Sequence, residues 1–371
     1  MQVVRPLPVG ATRTIGWGAF ADNPFFEDWA LAAAIRHLAP ADRPVEFAGA
    51  APGAGGIPLV RWLNAPLALG SVWSVWDHIH CFDTTPVGGP DYTASLDETF
   101  AFLRQRGASL LYWRDLPTDT PFHARLVRYL AEAGLRFEVT RSRRRPLLRT
   151  RDPGSFDAGA ARLEGKRMAE LRRRRRRLEE MGRLGAAVHR DSHDACAWMR
   201  DFLRLEASGW KGEAGTAIAC NDGERAFFEA LMREAAARGR TFVCSLELDG
   251  EPIAMTVNLR SGEGVWGFKT AYRDSLSRYS PGALAAFETT LAALEDPSIA
   301  WMDSCMDHED GVLRGLWHGH RETVDLMIAA GRSGNWLPGL ARAALTTLRG
   351  VKARIEPLRQ PPCANASGRL R

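Results

Sequence analysis

Apolar residues in the second half of the chain recur at spacings that predict an ordered series of helices and strands. Trp198, Phe202 and Leu205 have the three-to-four-residue spacing of a helix that buries one face. Residues 241–272 alternate apolar and polar side chains in three runs, and the turn sequence Asp249-Gly250 separates the first two. The predicted series comprises helices over 195–208 and 224–237, strands over 241–248, 252–259 and 265–272, a helix over 283–294, a strand over 299–306, a helix over 311–319 and a strand over 323–329, with 186–190 as the candidate first strand.

The first half repeats this order of elements less clearly. Its strand-like segments are punctuated by Asn64, Pro66 and Gly70, which favour turns. No sequence-level repeat relates the two halves, so their similarity rests on the order of elements. The predicted elements are a helix over 23–38, strands over 59–63, 67–76 and 78–82, a helix over 97–106, a strand over 109–113, a helix over 122–133 and a strand over 135–140.

Composition limits the class of protein that these elements can build. A chain of 371 residues suggests two domains, and 45% apolar residues suffice for sizeable cores. No window is long and apolar enough for a membrane span, and residues 1–10 lack the pattern of a signal peptide. The six cysteines are scattered without a Cys-x-x-Cys pair, which predicts neither a disulfide framework nor a zinc site. We therefore expect a cytoplasmic protein without a bound metal.

The net charge of +5 is unevenly distributed, because six consecutive arginines occupy Arg172–Arg177. One interpretation is a solvated linker helix whose arginine stems lie along apolar surface. Alternatively, one or two of these arginines bind phosphate groups of CoA, a nucleotide-linked sugar, tRNA or an anionic lipid. Sequence-specific DNA binding is not expected, because no helix-turn-helix or zinc pattern accompanies the run. The helical wheel places Arg174 and Arg175 within a narrow apolar stripe formed by Met168, Leu171, Leu178 and Met181.

The strongest functional signal lies between residues 266 and 283. A predicted strand leads through a short loop into a helix that begins at Ser280-Pro281-Gly282. Serine is a good N-cap, proline suits the first helical position, and glycine lets another group approach the backbone closely. Such a helix start directs N–H groups and the positive end of the helix dipole at an anion. We expect the phosphates of a cofactor at six residues: Arg278, Tyr279, Ser280, Pro281, Gly282 and Ala283.

The cellulose-biosynthesis (CelD/BcsL-like) acetyltransferases of the GNAT superfamily have recurring segments that resemble three in this chain. These are Glu206-Ala207-Ser208-Gly209-Trp210-Lys211-Gly212, Lys269-Thr270-Ala271-Tyr272 and Tyr279-Ser280-Pro281-Gly282. That family groups with FemAB-like tandem-GNAT proteins, and the resemblance spans residues 162–330. It implies a mixed α+β fold of two tandem GNAT-like domains, each a mixed sheet flanked by helices. Of the usual GNAT phosphate motif, Gln/Arg-x-x-Gly-x-Gly/Ala, only Gly282 is present.

On this basis we expect four segments. Residues 1–152 form a degenerate GNAT-like domain, 153–184 an Arg-rich helical linker, 185–332 a GNAT acyltransferase domain, and 333–371 a basic C-terminal helix and tail. The first domain lacks a counterpart of the Ser280 helix start, so we assign it a supporting or substrate-shaping role. The moderately amphipathic C-terminal helix leaves peripheral contact with a membrane open.

The resemblance implies acyl transfer from acetyl-CoA or another acyl-CoA to an amine, with no metal. The reaction needs a neutral amine and stabilisation of an oxyanion, which GNAT domains obtain from a backbone N–H of the fourth strand, here 265–272. Asp303 and Glu206 are expected to assist proton removal, and Asp303 is preferred for its place at a strand end. Asp303 can equally bond the following loop, and Glu206 can pair with Arg204 or Lys211.

The acceptor is expected in the cleft between the two halves. Trp210 offers an aromatic platform for a sugar or acyl chain, and Lys269 either points at a phosphate or pairs with Asp274. The expected substrate-binding residues are Trp210, Lys211, Lys269, Tyr272 and His308.

Three classes of function follow from these expectations. The preferred one is N-acyl transfer to an amino sugar or similar amine that feeds an extracellular polysaccharide. The second is FemAB-like aminoacyl transfer from tRNA, which is less favoured because the helical-hairpin insertion of some such enzymes is missing. The third is a non-catalytic binding subunit of polysaccharide machinery.

Overall fold

Helical and alternating apolar spacings become helices and strands in the predicted order. The structure is a computed structural model that describes residues 23–49, 56–64, 71–88, 92–152, 166–189, 194–209, 212, 214–306, 313 and 316–343. Its helices are α1 (Asp28–Leu38), α2 (Tyr92–Gln105), α3 (Pro121–Ala133), α4 (Lys166–Glu179), α5 (Ala195–Ala207), α6 (Asp222–Ala237) and α7 (Pro281–Glu295). Its strands are β1 (Glu46–Ala48), β2 (Ile57–Asn64), β3 (Ser71–Val75), β4 (Ala108–Pro117), β5 (Phe137–Arg149), β6 (Leu184–His189), β7 (Thr241–Leu248), β8 (Glu251–Ser261), β9 (Gly264–Tyr272), β10 (Trp301–Asp303) and β11 (Gly319–Ala329).

Local sequence explains where several helices begin and end. The Thr120 hydroxyl accepts the His123 N–H at the start of α3, Pro121 occupies the first turn, and Gly134 ends the helix at φ 66°. The Asn221 side chain caps α6 by accepting the Glu224 N–H. These caps satisfy backbone groups that the helix itself leaves without partners.

All the described strands join one mixed sheet of 11 strands, in the order β1-β2-β3-β4-β11-β5-β10-β9-β8-β7-β6. The last strand, β11, inserts between β4 and β5 of the first half and is antiparallel to both. β10 pairs antiparallel with β5 on one side and parallel with β9 on the other. Backbone hydrogen bonds therefore run without interruption from the first half into the second.

Helices cover both faces of this sheet. On one face, α1, α2, α3, α5 and α6 share a single apolar core with the sheet. On the other face, α4 and α7 pack over the second half, where Leu171 and Leu178 of α4 are buried with Leu284 and Ala285 of α7. Over the first half, the opposite face is covered by the segment that contains Leu337. A cofactor or substrate therefore reaches the centre of the sheet only where neighbouring strands part.

The predicted fold class is confirmed, with one change in architecture. The mixed α+β fold has the expected order of elements, including the predicted strand before α5, but the two sheets are merged into one. The strand expected over 78–82 is wrong, because residues 76–88 follow an irregular path. Met181, expected in the apolar stripe of the arginine helix, is 48% exposed. The helix expected over 311–319 is wrong at its C-terminal end, because residues 316–318 lead through a turn into β11. Residues 311, 312, 314 and 315, and the tail beyond residue 343, lie outside the described residues.

Candidate active site

The parallel pair β9 and β10 separates in the middle of the sheet. The two strands are in register from Gly264 opposite Trp301 to Trp266 opposite Asp303, where β10 ends. β9 continues to Tyr272 and, among the described residues, is paired there only with β8. The separation begins at Gly267, where an added Cβ would lie 2.5 Å from the Ser304 carbonyl oxygen. One edge of β9 beyond Gly267 is thereby left for another extended group.

A bulge in β9 coincides with this separation. Lys269 lies opposite Val257 and Gly267 lies opposite Asn258, so Phe268 is an extra residue on the β9 side. A bulge disrupts the ladder locally and redirects backbone groups and side chains. The bulge lies next to the point where the two strands part, on the strand from which GNAT domains take their oxyanion donor.

The chain continues from β9 through a short 3₁₀ helix (Asp274–Tyr279) into α7. The expected N-cap role of the Ser280 side chain is wrong: Ser280 has φ 50° and ψ 53°, and its side chain accepts no N–H of the helix. The Ala283 and Leu284 N–H groups instead donate to the Ser280 carbonyl oxygen, at 3.0 and 3.2 Å. The Gly282 N–H belongs to the same turn and points out of the helix end. The group that Gly282 admits is the Tyr272 ring, whose Cδ1 would lie 3.1 Å from an added Cβ.

The arginine helix α4 brings positive charge to this helix start. The Arg174 guanidinium donates through Nη1 to the Ser280 hydroxyl oxygen and through Nε to Glu170, at 2.7 Å. Its neighbour Arg175 pairs with Glu288 on α7. Of the two interpretations of the arginine run, the apolar contacts of Leu171 and Leu178 support the packed linker helix. Arg174 nevertheless lies where a phosphate at the α7 start would need a cation.

A small pocket lies on the opposite face of β9, beside α5. It has room for about one water molecule, and Glu206 lines it. The Glu206 side chain is only 3% exposed, and its Oε2 accepts the Ile218 N–H at 2.9 Å. This bond fixes the carboxylate next to β9, where an acceptor amine would approach a thioester between the parted strands. The other lining residues are Leu205, Gly209, Thr270, Ala271, Tyr272 and Asp274.

Asp303 lies at the end of β10, as the sequence predicted, and it is fully buried. Its Oδ1 accepts the Cys305 N–H at 2.8 Å, and its Oδ2 lies 3.4 Å from Arg321 Nη1. Arg321 is itself shared with Asp119, at 3.1 Å, and stacks over the Trp301 ring. Asp303 thus fixes the loop that faces Gly267, and its negative charge compensates the buried Arg321 guanidinium.

Both halves contribute to a group of polar side chains beside β9 that sequence analysis did not predict. The irregular segment 76–88 of the first half lies against β9 and α6. There His80 Nε2 is 3.0 Å from Glu224 Oε2, and the Trp266 indole N–H donates to Asp83 Oδ2 at 3.3 Å. The His80 ring stacks on Phe227, 5.7 Å between centroids, and lies 5.9 Å from the ring of the bulge residue Phe268. The first half therefore contributes side chains to the neighbourhood of the parted strands.

The charged side chains near Glu224 include Glu206, which also lines the pocket. Burial raises the pKa of Glu224, the Lys269 ammonium lowers it, and the Glu206 carboxylate raises it further. Lys269, expected at a phosphate or at Asp274, is thus within electrostatic range of Glu224. Three other expected substrate-binding residues, Trp210, Lys211 and His308, lie outside the described residues.

A match to a family model identifies the class of domain in the second half of the chain. Residues 165–310 match the model of an acetyltransferase (GNAT) domain. The second half therefore has a GNAT-type acyltransferase fold, and its β9, β10 and α7 supply the parted strands and the helix start.

No protein of curated function matches the chain in sequence. None of the described helices is both long enough and apolar enough to cross a membrane.

Solved structures with the same fold cover most of the chain. One is the C-terminal DUF2156 domain of a proposed lysylphosphatidylglycerol synthetase from Agrobacterium fabrum, with a TM-score of 0.52 and 16% identity over 90% of this chain and 92% of that one. Another is a conserved protein of unknown function from Bacteroides thetaiotaomicron, with a TM-score of 0.50 and 14% identity over 83% and 91%. FemX matches with a TM-score of 0.48 and 11% identity over 85% and 93%. At these identities the likeness is one of fold.

Proposed function

We propose that this protein is an N-acyltransferase that moves an acyl group from acetyl-CoA or another acyl-CoA to an amine. The observation that carries the proposal is the separation of β9 and β10 next to the start of α7. An extended thioester arm would lie along β9 beyond the end of its pairing with β10, as an additional strand would. Its pyrophosphate then meets the α7 start and Arg174, where the helix dipole and a guanidinium both favour an anion.

The remaining residues divide between positioning and proton transfer. β9 amides near the Phe268 bulge stabilise the oxyanion of the tetrahedral intermediate. Of the two carboxylates expected from the sequence, Glu206 is favoured at the acceptor because it lines the pocket. Asp303 is less suited to accept a proton, because its oxygens already bond the Cys305 N–H and Arg321. The acceptor side also includes Lys269 and Tyr272, with Trp210, Lys211 and His308 as further expected contacts.

The acceptor we favour is an amino sugar or a similar amine, with extracellular polysaccharide biosynthesis as the setting. This choice rests on the resemblance to the CelD/BcsL-like acetyltransferases, since the fold itself accommodates many acceptors. An aminoacyl-tRNA donor remains the alternative, and it would use the exposed arginines of α4 rather than the narrow edge of β9.

Calorimetric titration of the full chain with acetyl-CoA, longer acyl-CoAs and free CoA tests the donor. We expect saturable binding of CoA thioesters, followed by release of free CoA when glucosamine is added. Absence of binding by every CoA derivative would contradict the proposal, and binding of aminoacyl-tRNA in their place would support the alternative.

A further inference from the structure

The pair His80–Glu224 joins residues 144 positions apart, beside the bulge residue Phe268 of β9. His80 comes from the first half and its side chain is 2% exposed, whereas Glu224 comes from the first turn of α6 and its side chain is 21% exposed. Glu224 is therefore the member of the pair that solvent or a substrate reaches. Packing of the His80 ring on Phe227 fixes the ring plane.

The surroundings of Glu224 raise its pKa above the ordinary value of a glutamate carboxyl. The groups that face it are His80 from segment 76–88, Lys269 from β9 and Glu206 from α5. Burial and the nearby Glu206 charge raise the pKa of Glu224, which brings a carboxylate closer to the range useful for general base catalysis. Two neighbouring carboxylates in different environments are a common basis for separate binding and proton-transfer roles.

The location matches the face from which an acceptor reaches β9. Phe268 and Ala271 belong to the core on the α5 and α6 side, whereas Thr270 and Tyr272 lie against Gly282 of α7. Lys269 precedes Ala271 by two residues and so shares its face. Glu206, Glu224 and His80 all lie on this side, across β9 from the proposed phosphate site.

We propose, as an extension of the acyltransferase function, that Glu224 is the catalytic base and His80 the residue that positions it. With Glu224 ionised, His80 donates its Nε2–H to the carboxylate and leaves the second oxygen for the substrate. The first half then takes part in the chemistry of the second half, beyond the supporting role expected from sequence.

The ammonium form of the acceptor gives one proton to Glu224 and becomes a neutral amine. The nitrogen lone pair attacks the thioester carbonyl, the C–N bond forms, and the C–S bond breaks with its electron pair leaving on sulfur. The second proton lost by nitrogen passes to the CoA thiolate, and Glu224 returns its proton to solvent. The products are an amide, free CoA and one proton.

The test compares two nucleophiles at pH 7 with the acyl-CoA that binds most tightly to the full chain. Glucosamine is mostly protonated at this pH and needs a base, whereas hydroxylamine is neutral and does not. We expect E224Q to lower kcat/KM for glucosamine by about 100-fold, the lower end of general base effects, and to lower it by less than about fivefold for hydroxylamine. Raising the pH should increase the glucosamine rate of E224Q several-fold, because free amine accumulates.

Two further variants separate positioning from folding. H80F keeps the ring stacked on Phe227 and removes the nitrogen donor, so we expect a loss of about tenfold with glucosamine and an unchanged KM for acyl-CoA. The matched control is E229Q, which removes an exposed carboxylate that pairs with Arg225 on the same helix. It should stay within about twofold of the wild type.

The outcomes distinguish this inference from the proposed function. If the wild-type protein turns over acyl-CoA with neither nucleophile, the acyltransferase function itself fails and takes this proposal with it. If the wild type is active but E224Q loses the same factor with both nucleophiles, or loses none, Glu224 is not the base. A selective loss with glucosamine, repeated more weakly in H80F, supports the pair.

Discussion

At the scale of single residues, Ser280 shows how an unusual backbone conformation changes a side chain's task. Its φ of 50° lies in the left-handed region that non-glycine residues rarely adopt. In that conformation the Ser280 hydroxyl does not cap α7. It instead accepts a hydrogen bond from the Arg174 guanidinium of α4. Strain at such a position often marks a functional site. Arg174 is therefore the arginine of the run that contacts the proposed phosphate site. The adjacent Arg173 and Arg175 pair with glutamates.

The first prediction compares two arginines of α4. Arg174 contacts the α7 start, whereas Arg177 is 64% exposed and pairs only with Glu180 among the described carboxylates. We expect R174Q to weaken acyl-CoA binding about tenfold, as loss of one charge-assisted bond would, and R177Q to leave it unchanged. Calorimetry measures both. Equal weakening by the two variants would indicate a diffuse effect of net charge instead of a site.

A second prediction concerns acid stability and His78. Burial lowers the pKa of His78 to about 3, so the folded protein keeps it neutral where the unfolded chain, near pH 6.5, begins to protonate it. The unfolded state binds the extra proton, and stability therefore falls as the pH drops from 6.5 towards 3, by about 1.4 kcal/mol per pH unit.

H78F should remove this contribution while keeping aromatic contact with Phe227 and Trp76. Urea unfolding at pH 7 and pH 5 should show that the variant loses about 2 kcal/mol less than the wild type between the two pH values. An identical loss in both proteins would mean that His78 is not held neutral.

At the scale of elements, the site depends on how β9 and β10 part. β10 is only three residues long, and the loop after it is held by Asp303 through the Cys305 N–H. The Gly267 backbone lies against the Ser304 carbonyl, so the strands separate at a defined position. The geometry of the gap is thus built from a short strand, a glycine and a buried carboxylate.

The third prediction assigns different defects to the two carboxylates. D303N leaves the buried Arg321 and Arg145 with less compensating charge, so we expect the free energy of unfolding to fall by about 3 kcal/mol. E206Q keeps an oxygen for the Ile218 N–H, so it should retain most of the stability and lose turnover. Denaturant titrations and steady-state kinetics measure the two effects. Wild-type stability with slow turnover in D303N would contradict the structural role of Asp303 and place it in the proton transfer, beside or in place of Glu224.

Most helices and strands were predictable, because the spacing of their apolar residues and the capping residues at their ends indicate the same boundaries. The strand order β6 to β9, helix α7 and the place of Asp303 follow from local patterns. Residues 78–82 resemble a strand in sequence, but Ile79 is exposed, whereas the His80 ring packs on Phe227 of α6 and the Phe82 ring on Phe268 of β9. The His80–Glu224 pair escaped prediction because a contact across 144 residues leaves no local signal. The Ser280 conformation was missed because cap preference describes the usual helix start and cannot anticipate Arg174.

At the scale of the molecule, the insertion of β11 between β4 and β5 ties the two halves together. The halves also share one apolar core through α1, α5 and α6. The domain boundaries near 152 and 185 remain predictions about chain segments, and neither half has a complete sheet of its own. This arrangement holds His80 and Asp83 of the first half against β9 of the second.

The fourth prediction follows from this shared sheet. Unfolding by urea should give one cooperative transition, with coincident midpoints by tryptophan fluorescence and far-ultraviolet circular dichroism. A single hydrogen-bonded sheet and a shared core leave neither half a stable folded state alone. Two separated transitions would show that the halves fold independently and that the contacts of segment 76–88 are weak.

Hydrogen exchange with and without acetyl-CoA is the most direct test of the thioester site proposed along β9 and at the α7 start. It locates the thioester without knowledge of the acceptor. We expect slower exchange of amides in residues 267–272, where β9 continues beyond its pairing with β10, and in residues 279–284, at the α7 start. Exchange in β1 to β3, far along the sheet, should be unchanged. Binding that protects other segments and leaves both of these regions unaffected would contradict the account.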